Sequence, residues 1–403
     1  MTSRPTPRTL LDSDLLTPCL QRKIYLIGAL YSLLYAMSWP LLVLYAERLS
    51  LSGTTVGVEF ALTGFGQVLA GVVAGRACNR RGKRTVAVAG SLLLGFGWLV
   101  AAAGPSTAAL SVAMFLTGAG SALYTGMSAF LGAHTPVELR TKVFAYQLAA
   151  MGVGFMVGPM LTACLQPAGL SIVCLVVAAG AACVAFFCET QLPKTELVAK
   201  EAETKVTYSS IVRSLRLMGL PSAALVLMQM SDISAGYFVP VHAQKAFFAS
   251  PTIVATLFSC IGLSKIVVPA VLGLLQKFCS EKRVALFAFV LVSSSITLCG
   301  FATSVNALFL FFLVWCFAFD VTNPYIKALS SRRANSSEQA SLASGQMFGL
   351  GMMNTLMPLV AGWSYAAHGA KPLFAVTGLV CIAGVGMLWY AFRAENSKLL
   401  VAY

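Results

Sequence analysis

The feature that most limits the fold of this chain is a series of long apolar segments that recurs from one end to the other. A transmembrane helix needs about 20 apolar residues, and twelve segments meet this length, whereas the charged fraction is only 10% and the mean hydropathy is +0.81. The segments lie at roughly 24–46, 54–75, 85–104, 107–133, 143–165, 168–189, 218–243, 251–276, 284–303, 305–328, 340–363 and 370–392. The sequence therefore predicts an all-α polytopic membrane protein with twelve transmembrane helices.

The basic residues predict how the chain is oriented. Of the 28 Lys and Arg residues, 24 lie in the tails and in every second connection, three lie on the opposite side, and Lys265 lies within a span. Because cytoplasmic loops are enriched in basic residues, both termini are predicted to be cytoplasmic, in the inner (plasma) membrane of a cell. The net charge of +14 is then a consequence of topology, and no nucleic-acid partner is predicted.

The longest polar stretch divides the chain into two halves. We expect a cytoplasmic tail at 1–21, a six-helix bundle at 22–189, a cytoplasmic linker at 190–217, a second bundle at 218–393 and a tail at 394–403, in a monomer embedded in lipid. Gln147, Gly152 and Pro159 match Gln346, Gly351 and Pro358 at an offset of 199, and two further matches are Gly75 with Gly273 and Pro40 with Pro240. These matches predict two parallel repeats with a substrate site between them.

A glycine-bounded basic connection follows the second span. It reads Gly75-Arg-Ala-Cys-Asn79-Arg80-Arg81-Gly82-Lys83-Arg84 and resembles the signature of the major facilitator superfamily, G-x-x-x-[DN]-R-x-G-[RK]-[RK]. The glycines would allow a tight turn, and the guanidinium groups would meet helix C-termini and a carboxylate, latching an inward gate. Asn79 stands where an Asp is commoner, so an ion pair there is weakened to a hydrogen bond.

The fifth span contains Gly154, Gly158 and Pro159, a pattern similar to one in twelve-helix drug/proton antiporters of the same superfamily. Glycines four residues apart let helices approach closely, and Pro159 bends the helix. The resemblance implies the major facilitator fold and alternating access. One departure from the antiporter pattern lies in the fourth span, where Met114 occupies the position at which an Arg linked to proton coupling is expected.

Four charged residues within predicted spans are candidates for proton coupling: Asp232, Lys265, Asp320 and Glu59. A charge at the centre of a helix costs about 2.5–3.5 kcal/mol on insertion scales and usually has a functional or paired reason. Asp232 and Lys265 either form a structural ion pair or hold a proton or a charged substrate group. Asp320 either pairs with Lys327 or takes part in coupling, and Glu59 either couples or lies at the membrane interface.

Aromatic and amide side chains predict a cavity. Tyr31, Tyr35 and Trp39 recur every four residues on one face of the first helix, and five amides at mid-span positions should face the interior. These amides are Gln67, Gln147, Gln229, Gln346 and Asn354. Such a wall suits a mid-sized amphipathic organic compound.

We therefore expect a secondary active transporter that exports a small amphipathic compound in exchange for protons. The alternative is an uptake symporter or uniporter for a small metabolite. A membrane enzyme is disfavoured because the sequence has no HExxH or GxSxG motif. No cofactor or metal is expected, since the eleven cysteines include no CxxC pair and no histidine lies nearby at metal spacing.

Overall fold

The computed structural model describes residues 18–51, 53–193, 208–249, 251–275, 277–331 and 339–401, and these residues are helical except for short connections. The first half of the chain forms seven α-helices. They are α1 (Pro18–Arg48), α2 (Gly53–Arg81), α3 (Lys83–Ala103), α4 (Thr107–Gly120), α5 (Ala122–His134), α6 (Arg140–Leu165) and α7 (Leu170–Gln191). Because α4 and α5 are interrupted only at Ser121, they form one span, and the half has six.

The second half repeats this arrangement. Its helices are α8 (Tyr208–Ile233), α9 (Val239–Phe247), α10 (Pro251–Leu275), α11 (Glu281–Gly300), α12 (Val305–Ser331), α13 (Gln339–His368) and α14 (Ala370–Val401). A π-helical turn, Ser234–Phe238, joins α8 to α9 as one span, and α8 is kinked at Gly219, where φ is +57°.

Ten helical stretches among the described residues are long and apolar enough to cross a membrane. The two further spans predicted from the sequence correspond to the α8–α9 unit and to α13, which lie in the same bundle. The prediction of an all-α membrane fold of twelve helices in two six-helix repeats is confirmed.

The predicted tails and linker differ from the structure in detail. The described chain begins inside the predicted first tail, at the start of α1, and α14 continues through residue 393 to Val401. Residues 194–207 of the predicted linker lie outside the described residues, and α8 already includes the end of that linker.

The two halves meet mainly along two helix pairs, α2 with α13 and α6 with α10. At the first crossing, a β-carbon on Gly64 would lie 2.5 Å from the carbonyl oxygen of Asn354, and one on Gly351 would lie 2.5 Å from the amide nitrogen of Val68. Only glycine permits backbones this close.

The second crossing uses the equivalent residues of the opposite halves. A β-carbon on Gly262 would lie 2.5 Å from the nitrogen of Met156, and one on Gly152 would lie 2.6 Å from Cβ of Lys265. Gly64 and Gly262 are 198 residues apart and Gly152 and Gly351 are 199 apart, so the two crossings are related by the internal repeat.

The halves also close against each other at the end of the bundle that carries both described chain ends, which we call the basic end. The guanidinium of Arg140 on α6 donates to the carbonyl of Ser331 on α12 over 2.6 Å, and the Thr141 hydroxyl donates to Glu281 over 3.3 Å. Within the second half, the amide of Gln339 donates to the same Ser331 carbonyl over 2.9 Å. These contacts hold the basic end shut below the middle of the bundle.

Candidate functional site

A cavity of about 240 Å³ lies between the halves, with walls from α1, α2, α5 and α6 on one side and from α8, α10, α12 and α13 on the other. Six of the eight side chains predicted to line a cavity do line this one. They are Tyr35, Trp39, Gln67, Gln147, Gln229 and Asn354.

The first half supplies an aromatic wall. The Tyr35 ring lies 6.4 Å from Trp39, 6.3 Å from Tyr124 and 6.1 Å from Phe155, measured between ring centroids, and Trp39 lies 6.1 Å from Phe60. All five rings line the cavity, and tilted or edge-on contacts of this kind are favourable beyond their buried area. Tyr124, Phe60 and Phe155 were not among the predicted residues, because each is one aromatic residue in an apolar run.

Amide groups connect the two halves across the cavity. The Asn354 amide on α13 donates to Oε1 of Gln67 on α2, and the Gln67 amide donates to the Tyr35 hydroxyl over 3.3 Å. This chain joins three predicted cavity residues from three helices.

Two predicted cavity residues lie elsewhere. Tyr31 is fully buried, with its ring 5.0 Å from Tyr124 in an edge-on contact, so it supports the aromatic wall from behind. Gln346 is half-buried and is not among the lining side chains. Both residues lie on helices that line the cavity, as the sequence predicted, but the rotation of each helix turns these two side chains away from it.

The buried ion pair differs from the predicted one. Nζ of Lys265 on α10 donates to Oδ1 of Asp320 on α12 over 2.7 Å, and the Ser264 hydroxyl donates to Oδ2 of the same carboxylate. The Lys265 ammonium also lies 5.8 Å from the Phe155 ring and 5.9 Å from the Phe319 ring, distances at which a cation is attracted to an aromatic face. Lys265 therefore pairs with Asp320, and the suggested structural pair with Asp232 is not formed.

Asp232 faces the cavity beside this pair. Its carboxylate accepts a hydrogen bond from the amide of Gln229, one turn earlier on α8, and both residues line the cavity. Within the described part of the chain, Asp232 has no ion-pair partner.

Lys327 is a cavity residue that the sequence analysis assigned to the cytoplasmic side. It lies on α12, which continues to Ser331, and its side chain lines the cavity. It does not pair with Asp320, whose partner is Lys265. Because a lysine stem is long and flexible, a residue near a helix end can place its ammonium well inside, and linear position alone does not reveal this.

Glu59 is not among the residues that line the cavity, and its side chain is buried. It is only 1% exposed, and Oε1 accepts a hydrogen bond from the Ser111 hydroxyl on α4 over 2.7 Å. Oε2 is buried and has no hydrogen-bond partner among the described residues. The carboxyl group therefore sits between α2 and α4 within one half.

The glycine-bounded connection forms a turn at one glycine only. Gly82 has φ of +88°, a region that favours glycine, whereas Gly75 lies inside α2, as do the backbones of Asn79 and Arg80. The Asn79 side chain lies outside the described residues.

The basic residues that follow this turn contact their own half. Arg84 forms an ion pair with Glu189 over 2.8 Å at the end of α7, and the Lys83 ammonium lies 5.4 Å from the Phe130 ring on α5. Arg84 does meet a carboxylate and the backbone carbonyl of Glu189, but this contact ties α3 to α7 and does not bridge the halves.

The antiporter-like glycines pack α6 against α1. A β-carbon on Gly154 would lie 2.5 Å from the carbonyl oxygen of Ala29, and one on Gly158 would lie 2.5 Å from that of Leu33. Pro159 lines the cavity within a helix that continues to Leu165. The close approach expected from the sequence is present.

Comparison with known proteins gives consistent results. The model of the Major Facilitator Superfamily matches residues 24–247 and 222–401. Multidrug resistance protein 2 of Bacillus subtilis (strain 168) is 23% identical over 385 residues, covering 89% of this chain and 92% of that protein. Multidrug resistance protein 1 of the same organism is 31% identical over 114 residues, which span 28% of this chain and only 29% of that relative.

Solved structures share the fold. The human organic anion transporter MFSD10 (TETRAN) superposes with a TM-score of 0.75 at 18% identity, over 93% of this chain and 100% of that one. The proton:xylose symporter XylE, bound to 6-bromo-6-deoxy-D-glucose, superposes with a TM-score of 0.71 at 14% identity, over 92% and 95%. The family match covers nearly the whole chain, and the chain therefore belongs to the Major Facilitator Superfamily and is a multi-pass membrane transporter, not an enzyme.

Proposed function

We propose that this transporter exports a small amphipathic organic compound by alternating access, in exchange for protons that bind at Asp232. The observation that carries the proposal is a carboxyl group that faces the central cavity without an ion-pair partner in the described chain. A carboxylate in such a site is stabilised by taking up a proton or by binding a cationic group. Either event neutralises it, so the two can alternate.

The surroundings of Asp232 support this role. Lys265 lines the cavity and is neutralised by Asp320, which is not among the lining residues. Among the described residues that line the cavity, the acidic one is therefore Asp232. The aromatic wall of the first half provides the apolar surface that an amphipathic compound needs. The names of the two Bacillus relatives, both multidrug resistance proteins, agree with export.

The proposal includes orientation and assembly. We place both termini in the cytoplasm and the protein in the inner (plasma) membrane, because the sequence assigns 24 of the 28 basic residues to the side of the termini, and 23 remain when Lys327 is counted with the cavity. We also propose that the monomer is the working unit, since the cavity is built by one chain.

Proteoliposomes with an acidic lumen test the exchange. The probes are ethidium, 8-anilinonaphthalene-1-sulfonate and rhodamine B, which are a cation, an anion and a zwitterion, with protein-free liposomes as the blank. We expect at least one probe to accumulate inside while protons leave, reported by trapped pyranine. Asp232→Asn should abolish both the accumulation of the dye and the release of protons, because the carboxylate at which proton and substrate alternate is missing.

The matched control is Glu138→Gln, which removes an acid from an exposed turn outside the cavity and should leave both signals unchanged. An undiminished proton signal from Asp232→Asn would exclude Asp232 and point to Asp320. Failure of all three probes to accumulate would contradict proton-driven export of amphipathic compounds.

An uptake symporter or uniporter is the second candidate. Met114, which stands where an exporter-type Arg is expected, is a buried apolar side chain on α4, and the fold is shared with a proton:xylose symporter. A symporter would expel the probe from the acidic lumen together with protons, and a uniporter would not respond to the gradient.

A further inference from the structure

Of the three charged residues that line the cavity, Lys265 is held in an ion pair, whereas Asp232 and Lys327 have no ion-pair partner among the described residues. Asp232 is bonded to the amide of Gln229, and the Lys327 ammonium has no hydrogen-bond or ion-pair partner in the described ranges. The other two charges nearby, Lys265 and Asp320, are bonded to each other over 2.7 Å. The cavity thus offers one negative and one positive group to whatever occupies it.

Asp232 and Lys327 lie at different depths along their helices. Lys327 lies seven residues beyond Asp320 on α12, which is about 10 Å of helix towards the basic end. Asp320 contacts Lys265 near the middle of α10, and Asp232 is likewise near the middle of its span. The backbone positions of Asp232 and Lys327 therefore differ by about 10 Å in depth, and the aromatic side chains of Tyr35 and Phe155 line the same cavity.

The Lys327 end has a second polar group. Gln147 on α6 and Asn323 on α12 line a narrow recess together with Lys327, and Gln147 also lines the main cavity. An ammonium with an amide beside it can bind a carboxylate by a charge-assisted hydrogen bond and a neutral one. The recess itself has a volume of only about 10 Å³, which is no more than the space for one water. Lys327 and Gln147 also line the main cavity, and it is there that they are suited to bind an acidic group.

We infer that the transported compounds are amphipathic zwitterions, with an acidic group that binds Lys327 and a basic group that binds Asp232 at opposite ends of a flat apolar body. This inference rests on the proposed function, in which the basic group of the substrate and a proton alternate at Asp232. A purely cationic substrate would leave the Lys327 ammonium without a counter-charge when the cavity is occupied, and a purely anionic substrate would leave the Asp232 carboxylate without one. Each arrangement costs free energy, because a charge removed from water is left unpaired.

Equilibrium binding to the purified full-length protein tests the charge requirement. The probes share one biphenyl body: 4′-(aminomethyl)biphenyl-4-carboxylic acid carries both charges, 4′-methylbiphenyl-4-carboxylic acid carries only the acid, and 4-(aminomethyl)-4′-methylbiphenyl carries only the amine. We expect calorimetric titration at constant pH to give a Kd for the zwitterion at least tenfold below that of either single-charge probe. Equal affinity of the amine-only probe, or no binding of the zwitterion, would overturn the inference.

Variants of Lys327 test whether this residue binds the acidic group of the probe. Lys327→Met should raise the Kd of the zwitterion to that of the amine-only probe and leave the amine-only value within about twofold, whereas Lys327→Arg should preserve the difference. The control Lys142→Met removes an exposed lysine from the same end of the bundle and should change neither value. A zwitterion preference that survives in Lys327→Met would refute the role of Lys327.

The outcome does not depend on proton coupling. If Lys327→Met fails to fold, the three probes on the unchanged protein and the Lys327→Arg variant still decide the charge requirement. If the unchanged protein binds the zwitterion preferentially but does not accumulate dye in response to a proton gradient, only the proposed function is contradicted. If it accumulates dye but shows no preference for the zwitterion, only this inference is contradicted.

Discussion

At the scale of single residues, the important arrangement is that of four charged groups in and beside the cavity. Lys265 and Asp320 form an ion pair, which we call the closed pair, whereas Asp232 and Lys327 have no ion-pair partner among the described residues. Lys265 is held by Asp320 and by two aromatic rings, so its charge is compensated before any substrate arrives. The repeat places Gln67 at the equivalent position, 198 residues earlier, where it bonds to Tyr35. The aromatic wall therefore belongs to the first half, and the charged residues that line the cavity belong to the second half, while both halves contribute amides.

Removing one member of the closed pair should be costly. Lys265→Met leaves the Asp320 carboxylate buried without its cation, and breaking such a pair typically costs about 3–5 kcal/mol. The midpoint of thermal unfolding in detergent should therefore fall clearly. Adding Asp320→Asn should recover most of the loss, because a neutral amide still accepts the Ser264 hydroxyl.

The matched double variant is Lys265→Met with Asp232→Asn, which should not recover stability because the structure does not pair these two residues. Recovery in this variant, and none with Asp320→Asn, would show that Lys265 pairs with Asp232 instead.

At the scale of helices, contacts between α6 and α1 depend on the absence of side chains. Gly154 and Gly158 bring the two backbones together within the first half, and the Thr162 hydroxyl adds a hydrogen bond to the Met37 carbonyl over 3.3 Å. In the same half, the connection from α2 to α3 is a single left-handed residue, Gly82. The glycine contacts and the short connection therefore pack helices of this half closely together.

Gly158→Ala should therefore destabilise the protein. The added carbon would lie 2.5 Å from the Leu33 carbonyl, and overpacking of this kind costs about 1–3 kcal/mol. Gly386→Ala on α14 is the control, because a β-carbon there meets no atom within 4 Å. It should be neutral or slightly stabilising, since alanine favours a helix by about 1 kcal/mol over glycine. Equal unfolding midpoints for the two variants would contradict the packing argument.

At the scale of the whole molecule, two crossings related by the repeat hold the halves together around one cavity. Gly64 and Gly351 form one crossing and Gly262 and Gly152 form the other. Because the basic end is closed by the contacts of Arg140 and Thr141, access to the cavity from that side requires these contacts to break. Rocking of two rigid halves about the crossings would do this.

The orientation of the molecule can be tested with an impermeant maleimide in a variant without native cysteines. Gly82 itself is buried, so the neighbouring exposed residue is used. Arg81→Cys should be labelled only after the membrane is opened, and Arg48→Cys should be labelled in intact cells. The opposite pattern would reverse the topology.

The order of the helices and the internal repeat were predictable from the sequence, and so were six of the eight cavity residues. Each depends on local properties: the length of an apolar run, the 3.6-residue helical period and the pairing of equivalent positions at one offset. The repeat also relates Gly152 to Gly351, but only the tertiary structure shows that both lie where helices of the two halves cross.

The partners of the charged groups were decided by tertiary structure alone. Lys265 and Asp320 are 55 residues apart on α10 and α12, and nothing in the linear sequence specifies how two non-consecutive helices rotate against each other. Rotation likewise hides Tyr31 and turns Gln346 away, and a long flexible stem carries Lys327 from a helix end into the cavity. Helix formation is a local property, whereas the meeting of side chains depends on how all the helices pack.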